Sequence, residues 1–110
     1  MFGIEVISPV DAEHESLPEA FTLQGSYPNP FQQATQIVID LPWSADVAID
    51  VLDVMGRLML SVPFQTMTAG WNRSINLDGF TLPSGMYFYR IRVGGPAGVE
   101  VQVGRFIHFR

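Results

Sequence analysis

The chain has 110 residues, enough for one domain with its own core, and 47% are hydrophobic against 15% charged, which excludes a disordered segment. A net charge of −5, with six arginines and no lysine, excludes a broadly basic nucleic-acid surface. Without cysteine there is neither a disulfide framework nor a thiolate metal site, and no apolar run is long enough to span a membrane.

Residues 1–20 read as a strand remnant followed by a tether. Ile4, Val6 and Ile7 are β-prone, and Ser8-Pro9 breaks the run. Asp11, Glu13, Glu15 and Glu19 then form an acidic stretch punctuated by Pro18, poor in apolar residues, as solvated linkers are. His14 stands alone among these acids, the setting of a surface residue rather than a ligand. The opening Met1-Phe2-Gly3-Ile4 lacks the basic-then-apolar order of a signal peptide and is compatible with a piece of a longer protein.

From Phe21 onward the pattern is that of short strands. Phe21-Thr22-Leu23 starts the folded unit, which occupies residues 21–110. In Tyr27-Pro28-Asn29-Pro30-Phe31 two prolines fix φ and remove two donors, so the piece is expected as a rigid turn outside the central ladders, with Tyr27 and Phe31 capping the core edge. Thr35 to Leu41 alternates, with Ile37, Ile39 and Leu41 inward and Gln36, Val38 and Asp40 outward, until Pro42 stops it. Val47, Ile49 and Val51 mark the next inward face, with Asp46 and Asp50 outside. Asp53-Val54-Met55-Gly56-Arg57 is a hairpin turn into Leu58–Val62; Gly56 supplies a positive φ and Asp53 accepts bonds from the turn amides.

Turns at Thr68-Ala69-Gly70 and Asp78-Gly79 bracket a strand from Trp71 to Leu77. Leu82-Pro83-Ser84-Gly85 releases the densest aromatic run of the chain, in which Tyr87, Tyr89, Ile91 and Val93 share the inward face and Met86, Phe88, Arg90 and Arg92 the other. Large side chains on both faces place this strand at the centre of a sheet. After Gly94-Gly95-Pro96-Ala97-Gly98 comes the last strand, expected to turn Val99, Val101 and Val103 inward. About seven short strands separated by Gly/Pro turns, with no capped helix-period segment, predict an all-β immunoglobulin-like antiparallel sandwich. Its expected core contains Ile37, Ile39, Val47, Ile49, Val51, Tyr87, Tyr89 and Ile91.

Catalytic and metal constellations are scarce. The two histidines lie far apart in the sequence, which breaks any nucleophilic triad. Asp40, Asp46, Asp50 and Asp53 lack the dense Asp/Asn/Gly loop of a calcium site and read as separate solvent-facing carboxylates. No glycine loop suited to phosphate is present. Trp43 and Trp71 can form a sugar-stacking platform, although caps on the core or an edge are the commoner role for such residues.

Four separated motifs line up with one family. Leu23-Gln24, Tyr27-Pro28-Asn29-Pro30-Phe31 and Thr35-Gln36-Ile37 resemble the "LxQNYPNPFNPxTxI" opening of the C-terminal sorting domain of the type IX (Por) secretion system, type A. Leu41-Pro42 matches the proline that ends the next strand of that family. Val47 to Arg57 is similar to its "VxLxVYDxxGR" hairpin, and Ala69-Gly70 with Leu82 to Ile91 to its "AG…LPSGxYFYRL" end. The match runs from about Phe21 to Arg110. Gln32-Gln33 stands where Asn-Pro is usual, Ser26 replaces an Asn, Leu52 an aromatic, and Arg105 lies near the place of a lysine.

The resemblance implies a non-enzymatic cargo address: a domain at the end of exported proteins of Gram-negative bacteria, carried through the periplasm to the outer-membrane surface or beyond. Its implied partners are the outer-membrane translocon, a sortase-like protease that cuts in the tether, and an N-terminal cargo domain; it implies no cofactor, metal or nucleic acid. The residues it assigns to translocon recognition are Tyr27, Pro28, Asn29, Pro30, Phe31, Asp53, Gly56, Arg57, Gly85, Tyr87, Tyr89, Arg90 and Arg105. Two other readings stand beside it: a carbohydrate-binding module using Trp43 or Trp71, and a structural immunoglobulin-like module similar to that of the flagellar hook-capping protein, which has a related "D…GR" hairpin.

Overall fold

A computed structural model describes residues 16–110. The β-prone Ile4, Val6 and Ile7, the acidic Asp11 to Glu15 and His14 lie outside the described residues. Seven strands follow in order: β1 (Thr22–Tyr27), β2 (Ala34–Leu41), β3 (Ala45–Leu52), β4 (Leu58–Met67), β5 (Gly70–Asp78), β6 (Gly85–Gly95) and β7 (Gly98–His108). They form a three-stranded sheet, β1-β2-β5, and a four-stranded sheet, β4-β3-β6-β7, both antiparallel. The chain changes sheet after β2, β4 and β5, and the aromatic strand β6 sits inside the larger sheet as its composition requires. This is the immunoglobulin-like sandwich expected.

One core lies between the sheets. Ile37, Ile39 and Leu41 from β2 face Val47, Ile49 and Val51 from β3 and Tyr87, Tyr89, Ile91 and Val93 from β6, all buried. At the start of β6 the Tyr87 hydroxyl donates to the Pro83 carbonyl at 2.6 Å, four residues upstream. A tyrosine there, bonded back across the corner, is the tyrosine corner of immunoglobulin-like sandwiches, and it accounts for the Leu82-Pro83-Ser84-Gly85-Met86-Tyr87 spacing. Edge strand β4 tolerates Pro63 because the register with β3 slips between Val47 and Ile49, opposite it.

The structure corrects three expectations. Val99, Val101 and Val103 face outward, 61%, 49% and 60% exposed. The register pairs Tyr87 with Phe106, so the even-numbered residues of β7 point inward, and Phe106 and His108 fill the space expected of the valines. A one-residue difference flips a whole strand, and burying a phenylalanine outweighs burying a valine. Asp40 and Asp50 have the outward parity expected but are buried, covered by side chains of neighbouring strands. Tyr27 does not cap the core; it is 56% exposed, its hydroxyl donating to the Gln24 carbonyl at 3.1 Å, while Phe31 is buried as expected. Residues Ser16–Ala20 lie along Trp71 and Asp40, with Pro18 buried among them.

Candidate functional site

Three of the turn motifs, Tyr27–Phe31, Asp53–Arg57 and Leu82–Tyr87, meet at one end of the sandwich, while Leu41-Pro42 and Ala69-Gly70 meet at the other. Beyond β1, Tyr27-Pro28-Asn29-Pro30 crosses to the larger sheet, with both Tyr27–Pro28 and Asn29–Pro30 peptides cis. It docks on the edge of β7. The Asn29 carboxamide donates to the Arg105 carbonyl at 3.2 Å and accepts from the Ile107 amide at 3.0 Å, so one side chain imitates a neighbouring strand. Phe31 continues this as a parallel bridge, its amide bonding to the Ile107 carbonyl and its carbonyl accepting from the Phe109 amide, each at 3.0 Å. Phe31 then inserts its ring edge-on to Phe106, with centroids 5.0 Å apart.

His108 ties this junction together. It is 2% exposed, with Nε2 2.9 Å from the Gln32 carbonyl and Nδ1 3.3 Å from the Pro83 carbonyl. Its ring packs on Phe31, and Gly79 is required beneath both, since a Cβ there would fall 2.7 Å from each. The Arg110 amide donates to the Ser84 hydroxyl at 2.9 Å, which holds the end of the chain on the Pro83-Ser84 corner.

The hairpin motif lies beside the same corner. Asp53 Oδ1 accepts from the amides of Met55 and Arg57, both at 2.9 Å, and Oδ2 pairs with Arg57 Nε at 2.7 Å. The Arg57 amide bond, with further help from the Arg57 side chain and the Met55 amide, outweighs desolvation and holds the Asp53 carboxyl below its ordinary value. Gly56 has φ +84°, the positive value that the turn demands. A shallow cleft runs between this hairpin and the corner, lined by Val54, Met55, Arg57, Pro83, Ser84 and Met86.

The expected recognition residues therefore divide in two. Tyr27, Pro28, Asn29, Pro30, Gly56, Arg57, Gly85 and Arg105 are exposed, and Asp53 is half-buried in its turn. Phe31, Tyr87 and Tyr89 are buried and shape the surface from beneath. Desolvation by burial pushes the Tyr87 and Tyr89 hydroxyls above their ordinary values. Arg90 lies elsewhere, on the outer face of the larger sheet, paired with Asp50 at 2.9 Å.

Trp43 and Trp71 belong to the other end. Trp43 is half-buried over Gly95, where a Cβ would stand 2.6 Å from the indole, while Trp71 is 53% exposed. No group of three or more His, Asp or Glu side chains suited to a metal exists among the described residues. The four aspartates have separate protein partners: Asp40 accepts from Gln24 and the Asn72 amide, Asp46 from Thr66, Asp50 from Ser61 and Arg90, and Asp53 from its own turn.

Sequence reasoning missed three residues at this site. Gln102 sits at an inward position of β7 and satisfies the start of β1, accepting from the Leu23 amide at 2.9 Å and donating to the Phe21 carbonyl at 2.8 Å. Gly104 makes room for Tyr89, whose ring would lie 2.4 Å from a Cβ. His108 is the third. Alternation offered no signal for Gln102 or Gly104, because it marks the valines between them as the inward set.

The protein is an antiparallel sandwich of the immunoglobulin type, with three of its turn motifs gathered at one end. The family profile described as "Secretion system C-terminal sorting domain" matches residues 26–101 and covers the three turn motifs. The chain belongs to this family, the C-terminal sorting domains of type IX secretion. Among solved structures, dimeric latent PorU from Porphyromonas gingivalis is similar over 86% of this chain and 10% of its own, with TM-score 0.66 and 21% identity. The chain thus spans about a tenth of that protein. CopC from Methylosinus trichosporium OB3b is similar over 82% of this chain and 94% of its own (TM-score 0.56, 18% identity). A β-glucuronidase from Parabacteroides merdae is similar over 80% of this chain and 13% of its own (TM-score 0.53, 13% identity). At these identities the likeness is one of fold alone. No curated protein matches the sequence significantly.

Proposed function

We propose that residues 21–110 are the address of a larger exported protein, read by the type IX outer-membrane translocon, and that residues 1–20 are a tether in which a sortase-like protease cuts. The observation that carries this reading is the family match over residues 26–101. The meeting of three turn motifs at one end of the sandwich supports a surface read by shape. In this reading the exposed Tyr27, Asn29, Arg57 and Arg105 touch the translocon, and the buried Phe31, Tyr87 and Tyr89 hold them in place. The cargo crosses the periplasm and ends at the cell surface or outside, and the domain acts as an address and not as a catalyst.

The test is a reporter with an export signal, fused ahead of residues 1–110 in a host with a type IX apparatus. Secretion of the reporter is expected, together with loss of the domain by cleavage upstream of Phe21. Arg57→Ala and Arg105→Ala, which leave every buried residue in place, are expected to stay folded and to strand the reporter in the periplasm. An intact fusion that remains periplasmic refutes the sorting reading. Secretion unimpaired by either arginine variant refutes the assigned surface.

A further inference from the structure

The three-stranded sheet has an irregularity at its Trp71 end. Ile39 pairs with Arg73 but Leu41 with Gly70, so two residues of β5 stand against one of β2. Asn72 takes up the extra length at φ +53°, in the left-handed region that asparagine tolerates better than most non-glycine residues. Asp40 on β2 pins it there, its Oδ1 accepting from the Asn72 amide at 2.9 Å and from Gln24 at 2.8 Å. The bulge turns Trp71 outward, 53% exposed, beside Asp40.

Ser16–Ala20 lie across this outer face. The cleft beside them is bordered by Thr22, Asp40 and Trp71, one residue from each strand of the sheet, so the segment spans it from β5 to β1. The reach is sufficient: five extended residues cover up to about 17 Å, and three strands lie about 10 Å apart from first to last. At the centre Pro18 is buried, while Ser16, Leu17, Glu19 and Ala20 are exposed. A proline suits that position. It brings apolar surface, has no amide proton to leave unpaired against the sheet, and has little backbone freedom to lose. On the β1 side the Thr22 hydroxyl donates to the Ala20 carbonyl at 3.4 Å.

This crossing sets where the chain enters the domain. Asp40 and Trp71 lie at the Leu41 end of the sheet, about 20 Å along β2 from Ala34, which follows the Tyr27–Phe31 turn. Ser16, the first described residue, therefore stands at the end of the sandwich opposite the three turn motifs.

We propose that Ser16–Ala20 are a strap of the folded domain, anchored by Pro18, which keeps the protease's cut upstream of Ser16 and at the end away from the surface the translocon reads. That a cut is made rests on the sorting reading; where it falls rests on the strap. A protease takes its substrate as an extended segment, and one whose middle residue is packed on a sheet has first to be released. Cleavage inside the strap is slowed in proportion to the small fraction of time it spends released. The separation of the two ends leaves the translocon free to hold Tyr27–Phe31 while the cut is made at the other end.

Limited digestion of the full 110-residue chain with subtilisin tests the strap without secretion, the first residue of the resistant core being read by mass spectrometry. The core is expected to begin no later than Leu17. In Pro18→Gly and Trp71→Ala, cleavage between Ser16 and Phe21 should become at least about tenfold faster, and the core should begin past position 18. Melting temperatures above that of the digestion check that the variants stay folded; Pro18→Gly, which lies outside the strands, carries the test if Trp71→Ala does not fold. A parent core that begins at Pro18 or later, or a folded Pro18→Gly variant cut no faster than the parent, overturns the proposal. In a type IX host, the domain released from the parent fusion should begin at or before Ser16. Release beginning at Leu17 or later overturns the strap's role and leaves the sorting reading standing. A fusion that is not secreted, with its strap protected from subtilisin, overturns the sorting reading and leaves the strap standing.

Discussion

At Asp50, burial pulls the carboxyl upward, but hydrogen bonds from Arg90 and Ser61 and the charges of Arg92 and Arg90 outweigh it and hold the group below its ordinary value of 3.8. The register places Arg90 directly opposite Asp50, and Arg92 reaches the same oxygen at 3.4 Å. A carboxyl depressed in the folded state adds stability above its unfolded pKa and loses it as the pH falls through the folded one. Asp50→Asn should therefore cost about 1–3 kcal/mol at neutral pH, discounted because solvent screens the half-exposed arginines. The gap between parent and variant should close below about pH 4; urea unfolding at several pH values measures it, and curves that stay parallel would contradict the account. Gly56 provides a purely backbone case, because no atom lies within 4 Å of the position a Cβ would take, yet φ is +84°. Gly56→Val should cost about 1–3 kcal/mol by strain alone. A valine variant with an unchanged melting temperature would remove that argument.

Between elements, two carboxamides do the work of missing strands. Gln102 satisfies the start of β1 from the larger sheet, and Asn29 satisfies the end of β7 from the loop after β1. The sandwich is thus laced along one side, where the edges of its two sheets meet, without a shared ladder. Asn29→Ala removes two hydrogen bonds at an exposed site and should cost about 1 kcal/mol. The more specific expectation is local: exchange of the Ile107 amide should accelerate well beyond what global destabilisation explains. If Ile107 exchanges only with the global unfolding rate in the variant, Asn29 is not the plug. The prolines on either side of it serve the same end, since neither carries a donor that the exposed loop would have to satisfy.

For the whole molecule, the sandwich separates its duties by end and by face. The end with Tyr27–Phe31, Asp53–Arg57 and Leu82–Tyr87 gathers three turn motifs, and the opposite end holds Leu41-Pro42 and Ala69-Gly70 beside Trp43 and Trp71. One outer face is an amide ladder, the other an apolar surface crossed by arginines. One core between the two sheets holds these ends and faces in fixed relation.

Much of this was legible along the chain because it is local. Alternation in β2, β3 and β6 placed Ile37, Ile49 and Tyr89 inward, since the side-chain period of a strand follows from its backbone. Gly56 and Asp53 announced their turn, whose geometry is closed within five residues. The motifs themselves named the family before any coordinates did. The facing of β7 was not legible: Val99-Glu100-Val101-Gln102-Val103 alternates cleanly, but its parity was settled further along by Phe106, which pairs with Tyr87 and fills the core. The burial of Asp50 under arginines forty residues away, and the docking of Asn29 on Ile107, are likewise decided by register between distant strands. A sequence records which residues alternate; only the packed sheets determine which face meets the core, because that choice depends on the volume and hydrogen bonds that partners far along the chain bring to it.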